Sequence, residues 1–192
     1  AVIGPYHSGS ARVSAPLLNA GGLVQLTPSA SLPGLTRVAP NTDPDEPLCY
    51  RPSKKITFCR VCPHDASQGP LSAEFAVAEL KAKSVYILDD KELYGLGVAA
   101  GFKKRCEELK VTVLGHTSID PLGRDLSKLM KAIKAKGPDL LYFGGTAKTG
   151  GIQVARDALA EKLECPLLVP DGCYEQAFID GVGADALDVL KC

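Results

Sequence analysis

Short apolar runs alternate with amphipathic stretches along nearly the whole chain, and this alternation predicts the fold class before any motif is considered. Val2-Ile3 reads as a strand, Ser10 to Asn19 as a helix stopped by Gly21-Gly22, and Leu23 to Leu26 as a second strand. Ile56 to Val61 follows as a strand, then a helix from Leu71 to Lys81 with Leu71, Phe75, Ala78 and Leu80 expected to face inward. The order continues with strand Val85–Leu88, helix Val98–Leu109, strand Val111–Leu114 and helix Leu126–Ala135. Strand Leu140–Phe143, helix Ile152–Leu163 and strand Leu167–Val169 complete it. Short, near-continuous apolar strands separated by helices indicate a parallel sheet covered on both faces. Right-handed crossovers make this a Rossmann-like α/β layer structure, in which ligands sit at the carboxyl ends of the strands.

One segment breaks the pattern. Thr27 to Lys55 holds Pro28, Pro33, Pro40, Pro44, Pro47 and Pro52. Proline lacks an N–H and clashes inside helices, so the segment is expected to be a loop, of a length that usually signals function.

Charge and composition narrow the classes. The 192 residues carry 22 basic and 22 acidic side chains, so no net field draws in nucleic acid or an anionic membrane. The hydrophobic fraction of 45% can fill a core, yet no run approaches the roughly 18 apolar residues of a membrane helix. Ala1 to Pro5 reads as the tail of a strand without a leader, and Leu187 to Leu190 as a strand finishing before Cys192. The chain is therefore expected to be an internal fragment of a longer fold.

Seven cysteines are odd in number and scattered, with Cys49, Cys59 and Cys62 clustered near His64. Cys59-x-x-Cys62 has a zinc spacing, but side chains three apart on a strand face opposite ways. A disulfide from Cys49 to Cys59 or Cys62 is the competing reading. No metal and no cofactor are expected.

The predicted strand ends carry the candidate chemistry. Gly4-Pro5-Tyr6-His7-Ser8-Gly9-Ser10 enters a helix, where a capping Ser8 and free N–H groups suit a carboxylate, although an ordinary N-cap serine reads the same way. Thr27-Pro28-Ser29-Ala30-Ser31-Leu32-Pro33 offers three hydroxyls and backbone groups held open by proline, to complete an anion pocket beside Ser8 or to form a polar turn. Tyr94 is placed in a loop before the next helix. Gly95-x-Gly97-x-x-x-Gly101 has the wrong spacing for a dinucleotide site and follows acidic residues that repel phosphate. Gly144-Gly145-Thr146-Ala147-Lys148 and Pro170-Asp171-Gly172 end two later strands, the aspartate able to meet an ammonium group or to make an Asp-Gly turn. An enzyme is disfavoured. Ser8 lacks the Gly-x-Ser-x-Gly elbow, and His64 and His116 read as solvated loop residues with no tie to it.

Taken in order, Ile3-Gly4-Pro5-x-x-Ser8-Gly9, Thr27-Pro28-Ser29-Ala30-Ser31-x-Pro33, Arg60-Val61-x-Pro63-x-Asp65-x-x-Gln68-Gly69, Asp90-x-x-x-Tyr94-Gly95-x-Gly97, Phe143-Gly144-Gly145 and Asp171-Gly172 form one series. The series resembles the substrate-binding proteins of branched-chain amino acid ABC transporters, which are type I periplasmic binding proteins. The likeness implies two lobes, residues 1–57 as a partial first lobe with its Pro-rich loop 27–55, and residues 58–192 as the second. It implies a small amino-acid ligand, no catalysis, and an ABC transporter permease as partner. It also implies a periplasmic or extracellular location, with a lipoprotein anchor on the full-length form. Ser8 and Ser29-Ala30-Ser31 are expected to hold the α-carboxylate and part of the ammonium, with Tyr94 and Asp171 closing from the other lobe and Asp171 taking the ammonium. Thr146 stands where the leucine-binding relative has a tyrosine, and nearby Lys148 points to an acidic or amide ligand. A ligand-sensing regulatory domain of the same fold is the alternative. The truncated chain is expected to self-associate through exposed sheet edges.

Overall fold

A computed structural model of the protein describes residues 1–39, 42–123, 125–183 and the backbone of 190–191. The chain divides into two compact units, Ala1–Ser67 and Gln68–Cys192.

In the first unit β1 (Val2–Ile3), β2 (Gln25–Thr27) and β3 (Phe58–Arg60) form a parallel sheet in that order. The sequence reading divided the chain at 57/58; the unit instead extends to Ser67, because β3 pairs with β2 along Gln25–Phe58 to Thr27–Arg60. Helix α1 (Ser8–Ala20) packs Ala11 and Ala15 inward, and Gly21-Gly22 stops it as expected, with Gly22 at φ +68°.

The proline-rich segment is not a structureless loop. Two 3₁₀ turns, Pro33–Leu35 and Leu48–Tyr50, place Leu35 and Tyr50 in a core with Ala11, Ala15, Ala30 and Phe58. Glu46, only 3% exposed, accepts the Tyr50 hydroxyl at 2.5 Å and the Asp43 N–H at 3.2 Å. The return end is pinned by Asn19, whose amide reaches Lys55 O at 2.9 Å, Thr57 Oγ1 at 2.7 Å and Ser53 N at 2.9 Å.

The second unit is a five-stranded parallel sheet. Its strands are β4 (Ser84–Asp89), β5 (Thr112–Ser118), β6 (Leu140–Gly144), β7 (Leu167–Leu168) and β8 (Leu190–Lys191), ordered β5-β4-β6-β7-β8. The predicted strand at Leu187 to Val189 lies outside the described residues. The helices are α2 (Asp65–Ala78), which spans the division between units, α3 (Leu93–Glu108), α4 (Ser127–Lys136), α5 (Ile152–Ala160) and α6 (Gln176–Val182).

Alternation along the central strands divides the core in two. Leu88 and Phe143 pack with Met130, Ile133, Val154 and Phe178 on one face. Ile87 and Tyr142 pack with Ala73, Ala76, Ala99 and Phe102 on the other. The doubly covered sheet read from the sequence is therefore present.

The inward face assigned to α2 is corrected. Leu71 is 61% and Phe75 40% exposed, while Ala73 and Ala76 are buried. Close approach decides the matter: a Cβ on Gly69 would lie 2.4 Å from the Val98 carbonyl, so α2 meets α3 through its small residues.

Among the described residues Cys49 and Cys59 are exposed free thiols, and no disulfide joins Cys49 to Cys59 or Cys62. Among the described residues no group of three or more His, Cys, Asp or Glu side chains is arranged for a metal. Cys106 lies at the core of α3, where burial pushes its thiol up to about 12 and keeps it unreactive.

Phe102 stacks on Tyr142 with centroids 3.8 Å apart and planes within 3°. Phe102→Ala removes that partner and leaves a cavity beneath the sheet, so a loss of about 3–5 kcal/mol is expected. Urea unfolding with an unchanged m value is the check.

Candidate functional site

Two loops of the first unit converge at the carboxyl ends of β1 and β2. The Ser29 hydroxyl donates to Tyr6 O at 2.8 Å, and Ser8 Oγ accepts the Leu32 N–H at 3.1 Å. The expected neighbourhood of Ser8 and the Ser29–Ser31 segment is therefore formed. Its details differ from expectation. The helix N-cap is His7, not Ser8, and Ser8 is 2% exposed with its oxygen turned to the neighbouring loop. The amides of Ser29 and Ala30 are not held open: both point to Thr27 Oγ1, at 3.3 and 2.9 Å, in a hydroxyl-centred turn. Thr27 in turn donates to Pro5 O at 2.7 Å.

Arg60 was quoted in the sequence only as part of a motif, yet it organises this segment. Its guanidinium donates to the carbonyls of Ala30 (3.1 Å), Leu32 (2.8 Å) and Pro33 (3.3 Å) and to Thr36 Oγ1. Ser31 is buried, and its carbonyl accepts the Asp65 N–H at 3.1 Å. The donors left at this end are the first-turn amides of α1, since the helical ladder begins only with Ala11 N to His7 O.

In the second unit Tyr94, Thr146 and Asp171 follow β4, β6 and β7, three neighbouring strands. Tyr94 is not in a loop: α3 begins at Leu93, which puts the tyrosine in its first turn. The three are brought together around Gly172. A Cβ there would lie 3.0 Å from Tyr94 Cε1 and 3.2 Å from Thr146 Cγ2. The Tyr94 hydroxyl is 2.5 Å from Asp171 Oδ1. Burial first, and then this carboxylate, raise the phenol well above its ordinary value, so it stays a donor.

Thr146 spends its polar atoms locally. Its Oγ1 lies 2.8 Å from Thr149 Oγ1 and caps a π-type turn, Ala147–Gly151, kinked by Gly150 at φ +128°. Lys148 on this turn is exposed. Gly95 is a packing residue: a Cβ on it would lie 2.5 Å from the Gly144 carbonyl, so α3 rests directly on β6.

Two fully buried aspartates support this rim. Asp90 accepts the Thr149 hydroxyl and the Glu92 N–H at 3.0 Å, linking the start of α3 to the turn after β6. Asp89 accepts His116 Nε2 at 2.7 Å, Ser118 Oγ at 2.9 Å and the Lys91 N–H at 3.0 Å. His116 is thus a residue of β5 paired with a carboxylate, not a solvated loop residue. His64 does lie just before α2, near Ser67.

Residues 1–189 match the family model for the periplasmic binding protein. The chain belongs to the periplasmic binding protein family. Periplasmic binding proteins similar to it include the Leu/Ile/Val-binding protein BraC3 of Rhizobium johnstonii, 30% identical over 186 residues, covering 96% of this chain and 46% of the relative. The crystal structure of the leucine-binding protein LivK from Thermotoga maritima superimposes with a TM-score of 0.80 at 23% identity, over 96% of this chain and 48% of that one. An ABC transporter substrate-binding protein from Desulfitobacterium hafniense in complex with Leu gives a TM-score of 0.68 at 26% identity, over 88% and 46%. The chain spans about half the length of the relatives it matches. Among the described residues no helix is long and apolar enough to cross a membrane.

The paired aspartates titrate in opposite senses. Burial alone raises Asp89, but the bonds from His116, Lys91 N–H and Ser118 outweigh it and hold the carboxyl below its ordinary value. Its stabilisation is present above the unfolded value and is lost as pH falls through the folded one. Burial raises Asp90 above its ordinary value, so its contribution is present at low pH and lost as pH rises through the folded value. Asp89→Asn is expected to destabilise most at neutral pH, the deficit closing in acid. Asp90→Asn is expected to gain on wild type as pH rises from 4 to 7, about the range in which such carboxyls titrate. Denaturant titrations at several pH values distinguish the two.

Proposed function

We propose that the protein captures a free amino acid outside the cytoplasmic membrane, in the periplasm, and presents it to an ABC transporter permease without chemical change. The observation that carries this reading is the Tyr94–Asp171 pair at the strand ends of a periplasmic binding protein. An aspartate that follows β7 and is exposed can accept an ammonium group, and a protonated tyrosine beside it fixes its orientation. In the first unit, the unladdered first-turn amides of α1 are donors of the kind a carboxylate needs. The names of the relatives support a branched-chain or similarly small ligand. Lys148, exposed two residues after Thr146, extends the range toward acidic or amide side chains. Ser8 accepts the Leu32 N–H and His116 is engaged by Asp89, so these two are not partners in a nucleophile–base pair.

The exposed apolar residues Ile3, Leu26 and Val61 of the first unit support self-association of this chain on its own. Light scattering that shows a stable monomer would count against that part of the reading.

Calorimetric titration of the protein in its longest natural form, against a panel of aliphatic, amide and acidic amino acids, tests the function. Saturable binding of at least one member is expected. Asp171→Asn is expected to weaken that binding roughly tenfold or more, because a neutral amide replaces the ammonium's counter-charge. Turnover of the bound ligand, or no binding across the panel, overturns the proposal.

A further inference from the structure

The amide of Gln68, in α2, meets both members of the Tyr94–Asp171 pair. Its Nε2 donates to Asp171 Oδ1 at 2.7 Å, and its Oε1 lies 3.0 Å from the Tyr94 hydroxyl. The orientation of the amide follows from the charges, since its oxygen would be repelled by the carboxylate that its nitrogen faces. Asp171 Oδ1 therefore takes two donors, the phenol at 2.5 Å and the amide at 2.7 Å. Asp171 itself is exposed, so it does not need Gln68 to escape an unsolvated burial.

We infer that Gln68 is a specificity-determining residue whose amide stands in for the ligand's ammonium on Asp171 Oδ1 and competes with it for that oxygen when an amino acid binds. This rests on the amino-acid reading above. An N–H donor 2.7 Å from the carboxylate oxygen occupies the position that an ammonium N–H takes in a charge-assisted bond. The amide has somewhere to go. The phenol has a single proton, now given to Asp171, and an ammonium on Asp171 frees that proton for Gln68 Oε1, already 3.0 Å away. Gln68 thus exchanges a donated bond for an accepted one, and Asp171 is never left without a donor. A ligand that lacks an amino group has no charge with which to displace the amide. The trio therefore sets a threshold that favours ammonium-bearing ligands only as far as their bond to Asp171 exceeds that of the amide.

The test compares two affinities in each variant: that of the panel amino acid bound best by wild type, and that of the carboxylic acid of the same skeleton without the amino group. Gln68→Met keeps the length and removes the donor. Gln68→Leu removes it too and adds no charge, so either variant suffices if the other fails to fold. The ratio of amino-acid affinity to deaminated-acid affinity is expected to rise about tenfold in both, the scale of one hydrogen bond to a charged group. A ratio that stays the same or falls overturns the stand-in role, since it makes Gln68 either a structural residue or a direct ligand contact. Absence of any amino-acid binding by wild type overturns the functional reading and this inference with it, and so is told apart from failure of the inference alone.

Discussion

Three carboxylates stand at the carboxyl ends of β4 and β7, and none is ion-paired to a lysine or arginine among the described residues. Other side-chain and backbone donors do the work that those cations do elsewhere. Asp89 is held by an imidazole and a hydroxyl, Asp90 by a hydroxyl and a backbone amide, and Asp171 by a phenol and a side-chain amide. A rim built in this way keeps its negative potential. On the proposed reading, it favours a cationic group at Asp171, the exposed one of the three, and disfavours phosphate.

At these strand ends the backbones nearly touch. Gly95 and Gly144 face each other across α3 and β6, each blocking a Cβ on the other within 2.6 Å. Asp90 occupies the space beside them, and a Cβ on Gly145 would lie 2.7 Å from its Oδ2. The first turn of α3, which carries Tyr94, is fixed relative to the strand ends by this contact and by the Asp90–Glu92 N–H bond. Packing at these glycines thereby becomes precision at the phenol.

Periodicity made the layered α/β architecture readable, since every predicted strand and helix within the described residues has a counterpart. It failed where volume rather than polarity decides. On α2 the large apolar Leu71 and Phe75 point outward and the small Ala73 and Ala76 point inward, which a hydrophobic pattern reads backwards. Helix α6, Gln176–Val182, is too short and too polar at its start to register. Tyr94, expected in a loop, lies in the first turn of α3, where close packing at Gly95 offsets that glycine's conformational entropy. At the site, charge and hydroxyl content pointed to Ser8, Ser29, Tyr94 and Asp171, but the bonds among them were invisible. Gln68 lies 103 residues from Asp171 and Arg60 lies 28 from Leu32, separations that only the fold closes.

On the proposed reading, the first unit has the opposite electrostatic task from the second, met by an equally indirect route. A loop that is to favour an anion must hide its carbonyl oxygens, because each repels a carboxylate as strongly as an N–H attracts one. Arg60 does this for Ala30, Leu32 and Pro33, the Ser29 hydroxyl for Tyr6, and Thr27 for Pro5. Five acceptors are thereby engaged by donors of the same unit, and the unladdered amides of α1 lie at the same end. On the proposed reading, anion affinity rests less on the serines that attract notice in the sequence than on the residues that turn the backbone's oxygens away.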